Sequence, residues 1–197
     1  MTPLAALSVA AMLAAATLAA DAAERAIDKQ VVVKANLDQA WAAWTTREGI
    51  TSFFAPEAEI EPRVGGAFHI HIDPLAAPGM KGADEMRFMA LQPKKMLSFD
   101  WNAPPSLPEV RQQRTFVVVR FQPVDGGTRV SLHHTGWGEG GQWDQAHAYF
   151  DRAWGRVLAN LQTRFETGQP VDWTDWLAQL RKAHGQAPAA PQPGASR

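Results

Sequence analysis

Cysteine is absent from the 197-residue chain. That excludes disulfides, thiolate nucleophiles, Cys-ligated zinc and lipid anchoring through a cysteine. Stability therefore has to come from the core alone. A surplus of one charge sign is also missing, because 19 Lys and Arg stand against 20 Asp and Glu for a net charge of -1. Neither a nucleic-acid backbone nor an anionic membrane is the expected partner of such a chain. Tyrosine is nearly absent, with one Tyr against eight Trp. Trp is bulky and rarely hidden completely, so this many imply a pocket, an interface or a broad packed face. The apolar share of 46% is ordinary for one globular domain with appendages.

The longest uncharged run, Leu4 to Ala20, is short for a membrane span of about 20 residues and suits the apolar region of a signal peptide. Ala20-Asp21-Ala22 has the small-x-small form of a cleavage site, with Thr17-Leu18-Ala19 as an alternative. Met1-Thr2-Pro3 holds no Lys or Arg, which departs from the usual basic start. We read residues 1–22 as a signal peptide, so that the mature protein is expected in the periplasm or secreted.

Ile27 to Ala35 is β-branched and reads as a strand, and Asn36 is placed to cap a helix carrying Ala40, Trp41, Trp44 and Thr45 on one face. Ile50 to Phe54 forms a short apolar turn stopped by Pro56. A meander of strands is then expected: 58–63, 67–72, 84–91, 96–101, 115–121 and 128–134. Val64-Gly65-Gly66 and Asp125-Gly126-Gly127 supply tight turns, while 73–82 and 102–108 are Pro-containing loops. From Gln142 the period becomes 3.6, with Ala146, Phe150, Ala153, Trp154, Val157, Leu158, Leu161 and Phe165 in one stripe. Gly168 and Pro170 end it. The order of strand, helix pair, six antiparallel strands and long helix defines an α+β fold.

Trp44-Thr45, Pro62-Arg63-Val64-Gly65-Gly66-Ala67-Phe68, Pro93 before Leu97-Ser98-Phe99-Asp100-Trp101, and Gly127 through Trp137 occur in this order. The arrangement resembles the SRPBCC/START-like superfamily, and within it the branch of homologues of the heat-shock-protein-ninety ATPase activator. The resemblance covers roughly residues 26–168. It implies a helix-grip fold, in which a curved antiparallel sheet of six to seven strands wraps the C-terminal helix around a cavity. It further implies binding of lipids, polyketides or other apolar molecules, and in some branches cyclisation or hydrolysis. Catalytic residues differ among branches, so none is carried over. Activation of a cytosolic chaperone fits poorly with an exported chain.

The residues expected to line such a cavity are Trp44, Phe53, Phe54, Phe68, Ile70, Met86, Phe88, Phe99, Trp101, Phe150, Trp154 and Leu158, because pockets of this kind are mostly apolar. Taken singly, each also suits plain core packing. His134 shares strand parity with Val130 and Leu132 and points inward, as a cavity residue or a core histidine tied to a backbone carbonyl. His69 and His71 project together, but from the outer face and without a His-rich partner segment, so no metal site is expected. Glu85 and Asp100 fall on the outer face by alternation, and Asp84 and Glu139 at loops near the mouth. No nucleophile–base pair or phosphate loop is recognisable. The expectation is a binder of a small hydrophobic or aromatic molecule without cofactor. An enzyme of the polyketide cyclase or hydrolase type, or a partner-binding domain without ligand, remains open.

Beyond the domain, Trp173, Trp176, Leu177 and Leu180 form an amphipathic stripe over 170–184, read as a short helix docked on the domain's own surface. Residues 185–197 are Ala/Pro-rich and are expected to be disordered.

Overall fold

The computed structural model describes residues 24–185. The expected signal segment and nearly all of the Ala/Pro-rich tail lie outside the described residues.

Thirteen elements follow one another in the described chain. Strand β1 (Ile27–Val33) leads into helices α1 (Leu37–Thr45) and α2 (Arg47–Thr51). Asn36 begins α1 with a capping box, since its carboxamide accepts the Gln39 N–H while the Gln39 side chain takes the Asn36 N–H. Strands β2 (Glu57–Ile60), β3 (Phe68–His71) and β4 (Gly82–Ala83) form a small antiparallel sheet. Strands β5 (Phe88–Gln92), β6 (Met96–Trp101), β7 (Thr115–Val124) and β8 (Gly127–Thr135) form a larger one with β1, in the order β1-β8-β7-β6-β5. Helix α3 (Pro108–Arg111) precedes β7, and the chain closes with α4 (Gly141–Thr167) and α5 (Thr174–Ala183).

Three sequence expectations need correction. The expected strand 84–91 begins only at Phe88, because Glu85 adopts a left-handed φ of 63° that ends the extended run. Asp84 draws the chain into that turn, its carboxylate accepting the N–H groups of Gly79 and Gly82. As a result the meander divides into two sheets, joined where Phe68 donates to the Met86 carbonyl and Phe88 to that of Gly66. The strand expected over 58–63 stops at Ile60, since the turn at 63–66 consumes the rest. And α3, which follows the expected loop 102–108, starts at a proline in its first turn, where a missing N–H costs nothing.

Strand alternation decides the inner face. Leu97, Phe99 and Trp101 of β6, Val117, Val119 and Phe121 of β7, and Val130, Leu132 and His134 of β8 are all buried. The register sets Leu97 opposite Val119 and Val119 opposite Leu132, so these side chains form rows across the sheet. Helix α4 lays Phe150, Trp154, Leu158 and Leu161 into this layer, and Lys29 on β1 pairs with Asp151 on α4 at 2.7 Å. Gly168, with φ of 74°, caps α4 and sends the chain back over the body. The β7–β8 turn approaches β1 so closely that a Cβ on Gly127 would stand 1.9 Å from the Val33 carbonyl. Only glycine fits there.

Candidate ligand-binding site

Helical spacing brings Tyr149, Ala153, Arg156, Val157 and Asn160 along one flank of α4, facing away from the tightly packed centre. Between this flank, Phe54, Trp101 and Trp154 lies a hollow of about 310 Å³. The segment after α4 crosses over it, contributing Val171, Asp172, Trp173 and Trp176 as a roof. A second hollow of about 450 Å³ continues past Met80, Pro104, Pro105 and Leu180. Ile72, Trp101, Tyr149, Phe150 and Trp176 border both. A wider depression of about 780 Å³ lies around Lys34–Gln39 and the β7–β8 turn, but it is open, polar-rimmed and draws no residue from α4 or α5.

Aromatic rings make the walls. Trp101 and Trp154 stand 5.4 Å apart between centroids at 45°, and Phe54 meets Trp154 edge-on at 5.6 Å. Phe150 stacks at 6.3 Å and 27° against Trp154. Edge-on and offset contacts of this kind add to simple burial and hold ring orientations.

Behind the rings runs a buried polar chain. Trp154 Nε1 donates to His134 Nδ1 at 2.9 Å, and His134 Nε2 lies 2.7 Å from Thr115 Oγ1. An indole N–H can only donate, so Nδ1 of His134 is the acceptor and Nε2 carries the proton. The Thr115 hydroxyl in turn donates to the Trp101 carbonyl at 3.3 Å. His134 is wholly buried, and burial, reinforced by His147 and His133, pushes its pKa down to about 3. It is neutral at physiological pH and acts as a fixed strut. The sequence reading of a core histidine bonded to a backbone carbonyl is corrected here, since its partners are a hydroxyl and an indole. A backbone carbonyl does enter, but it is that of His134, which accepts from Trp137 Nε1 at 3.0 Å.

Of the residues expected from sequence, Phe54, Trp101, Phe150 and Trp154 border the hollows, while His134 stands directly behind them. Trp44, Phe53, Phe68, Ile70, Met86, Phe88, Phe99 and Leu158 pack into the core cluster and border neither hollow. The space between sheet centre and helix is taken up by their side chains: Phe68 stacks on Phe99 at 4.0 Å, and Trp44 tilts against Phe53 at 5.3 Å. Tyr149, Ala153, Trp173 and Trp176 join the site instead. From sequence, Ala153 falls in the apolar α4 stripe, Tyr149 beside it, and Trp173 and Trp176 in the amphipathic segment read as docked on the domain's own surface.

The rim carries charge of both signs. Arg156 is exposed at the mouth beside Tyr149, whose hydroxyl pKa burial raises. Asp172 is held ionised by hydrogen bonds from Thr174. Arg111 is buried behind the second hollow and donates to the carbonyls of Ala103, Gly79 and Gly82, with Asp84 at 3.5 Å. It clamps the two loops that form that wall.

Among the described residues, the carboxylates that border the hollows are Asp172, hydrogen-bonded by Thr174, and Asp73, which pairs with His184 at 2.8 Å. Asp84 is committed to Gly79, Gly82 and Arg111, and Asp100 accepts the Arg87 N–H at 2.6 Å with Arg114 at 3.5 Å. His69 and His71 each pair with a cross-strand glutamate, Glu59 and Glu57. Among the described residues no group of three His, Asp or Glu side chains is placed to hold a metal ion, and no helix is long and apolar enough to cross a membrane.

No curated protein matches the chain. Solved structures do. Protein MLL2253 from Mesorhizobium loti is 21% identical with a TM-score of 0.60, the match covering 73% of this chain and 98% of that one. The Aha1 dimer from Colwellia psychrerythraea is 19% identical with a TM-score of 0.58 over 73% and 98%. CalU16 from Micromonospora echinospora is 20% identical with a TM-score of 0.55 over 82% and 84%. At these identities the likeness is one of fold, and the shared fold is the helix grip. The family model described as Activator of Hsp90 ATPase homolog 1-like protein matches residues 34–166. That span runs from the end of β1 through nearly all of α4, and the chain belongs to this family.

Proposed function

We propose that this protein binds a small hydrophobic or aromatic molecule in the paired hollows between α4, Trp101 and the α5 segment, and that it does so after export. The observation that carries the reading is the aromatic wall of Phe54, Trp101, Phe150 and Trp154 around the hollow of about 310 Å³, with Trp101 and Phe150 also bordering the hollow of about 450 Å³. Small-molecule sites are typically concave, mostly apolar and of about 300–1,000 Å³, with a few polar fixtures. Burial of apolar ligand surface contributes about 25 cal/mol per Å² toward binding. The uncharged run Leu4–Ala20 and the small residues after it support export.

Titration with the neutral solvatochromic dye prodan tests the binding reading. Blue-shifted, saturable emission is expected, and Ala153→Trp is expected to abolish it. Ala153 is half-buried on the hollow's flank, so the bulky side chain fills the hollow while leaving the core intact. Equal dye binding by wild type and variant refutes the site. For export, the mass of protein recovered from the periplasm is expected to begin near residues 20–24. Retention of the full chain in the cytosol refutes it.

A further inference from the structure

The charged side chains that border the two hollows are Asp73, Lys81, Asp172 and Arg156. Around the second hollow, Asp73 pairs with His184 at 2.8 Å and Lys81 lies 3.9 Å from Glu57. At the first, the Asp172 carboxylate accepts the Thr174 N–H at 2.9 Å. Arg156 differs. Arg25, Arg63, Arg111 and Arg114 each meet a carboxylate, whereas Arg156 pairs with none among the described residues. Other arginines without a carboxylate, such as Arg152 one turn earlier, border neither hollow.

Helical spacing aims this cation at the site. Arg156 lies one turn from Ala153 and Asn160 and two from Tyr149, on the flank of α4 that borders the first hollow. Its charge is felt at the Tyr149 hydroxyl, whose pKa burial raises and Arg156 works to lower. The side chain is exposed, so an incoming group can reach it from the mouth. A cation without counter-charge beside a low-dielectric wall attracts an anion, and the planar guanidinium fork suits a carboxylate.

We propose that the ligand is an apolar monocarboxylate, its hydrocarbon part in the first hollow and its carboxylate at the mouth against Arg156. This rests on the binding function proposed above and adds the chemical class of the ligand. The apolar part lies against Phe54, Trp101 and Trp154. The head group stays at the rim and keeps part of its hydration, whereas a carboxylate buried among the rings is costly. Asp172 alone favours an ammonium head, but its carboxylate already accepts from Thr174, which leaves Arg156 as the unmet charge.

The test compares 2-naphthoate, 2-acetylnaphthalene and 2-naphthylmethylammonium, which share a ring system and differ in charge, at neutral pH and low salt. Affinities are measured on the full chain, on Arg156→Gln and on Arg152→Gln, both changes being at exposed positions. Taking the naphthoate-to-ketone ratio within each protein cancels ligand hydration. That ratio is expected to fall about two- to five-fold in Arg156→Gln, the range of an ion pair at an exposed rim, and to stay unchanged in Arg152→Gln. In about 1 M salt, where the screening length is about 3 Å, the difference between wild type and Arg156→Gln is expected to shrink. Equal ratios in wild type and Arg156→Gln, or an equal fall in Arg152→Gln, overturn the proposal while leaving apolar binding intact. So does a wild type that binds the ketone but not naphthoate, or that prefers the ammonium to naphthoate. Failure of all three compounds to bind the wild type overturns the binding function itself, and this inference with it.

Discussion

Trp154 on α4 and His134 on β8 are joined by a 2.9 Å hydrogen bond from the indole nitrogen to Nδ1, wholly out of solvent. That bond ties the long helix to the sheet at the edge of the candidate site. It also selects the histidine tautomer, which passes the constraint on to Thr115 and the Trp101 carbonyl. Two of the rings that wall the hollows are thereby positioned from behind.

Replacing Trp154 by Phe keeps a ring in place but leaves His134 Nδ1 without its donor. A buried unsatisfied acceptor costs about 1–3 kcal/mol. Trp154→Ala adds a cavity, for which about 3–5 kcal/mol is expected. Urea denaturation of both variants checks the order. Equal stability of Trp154→Phe and wild type rejects the strut.

His134 confers a particular pH dependence. Its folded pKa, about 3, lies below the usual value of 6.5, so the unfolded chain binds the extra proton between those values. The corresponding stability is fully present above pH 6.5 and is lost as pH falls toward 3, with a slope of up to ~1.4 kcal/mol per pH unit. Gln at this position keeps an acceptor and a donor but does not titrate. His134→Gln is expected to flatten the difference profile between pH 6.5 and 4, read from thermal melts at each pH. Parallel profiles in that window refute the assignment.

Arg111 is 6% exposed and holds three loop carbonyls and Asp84 together. Arg111→Met removes the charge and all five-donor geometry while keeping much of the volume. Leaving Asp84 and the carbonyls without their partner is expected to cost about 3–5 kcal/mol. Hydrogen exchange should accelerate first in residues 73–83, the wall of the second hollow. Unchanged exchange there removes Arg111 from its role as a clamp.

Truncation after Gly168 deletes the roof. Because no α5 residue is buried, the domain is expected to remain folded, losing about 2–4 kcal/mol for the hydrogen bonds removed. Prodan affinity should drop at least ten-fold as the hollow loses Val171, Trp173 and Trp176 from its lining. A truncated chain with undiminished affinity places the ligand elsewhere.

Most elements were legible because their signals are local. Asp125-Gly126-Gly127 marked the β7–β8 turn, and Gly168 marked the end of α4, each at the position where the structure turns. The 3.6-residue stripe of α4 and the alternation of Leu97, Phe99 and Trp101 named the buried faces correctly. The break at Glu85 was not legible, because it depends on the Asp84 carboxylate capturing N–H groups of the preceding loop. Nor was the site's boundary. Phe68 and Trp101 carry the same inward-facing signal, yet one stacks on Phe99 in the centre and the other borders the hollows.

Periodicity and turn chemistry act between neighbours along the chain, so the sequence by itself determined most of the order of elements, their inner faces and the α+β class, while the helix grip was implied by the family resemblance. Which inward side chains touch one another and which leave space between them was decided by tertiary structure alone. Trp154 reaches His134 and Trp176 reaches Ile72 across separations of 20 and 104 residues. Such meetings depend on how far α4 tilts on the sheet and where the chain turns after Gly168, and no local pattern encodes either.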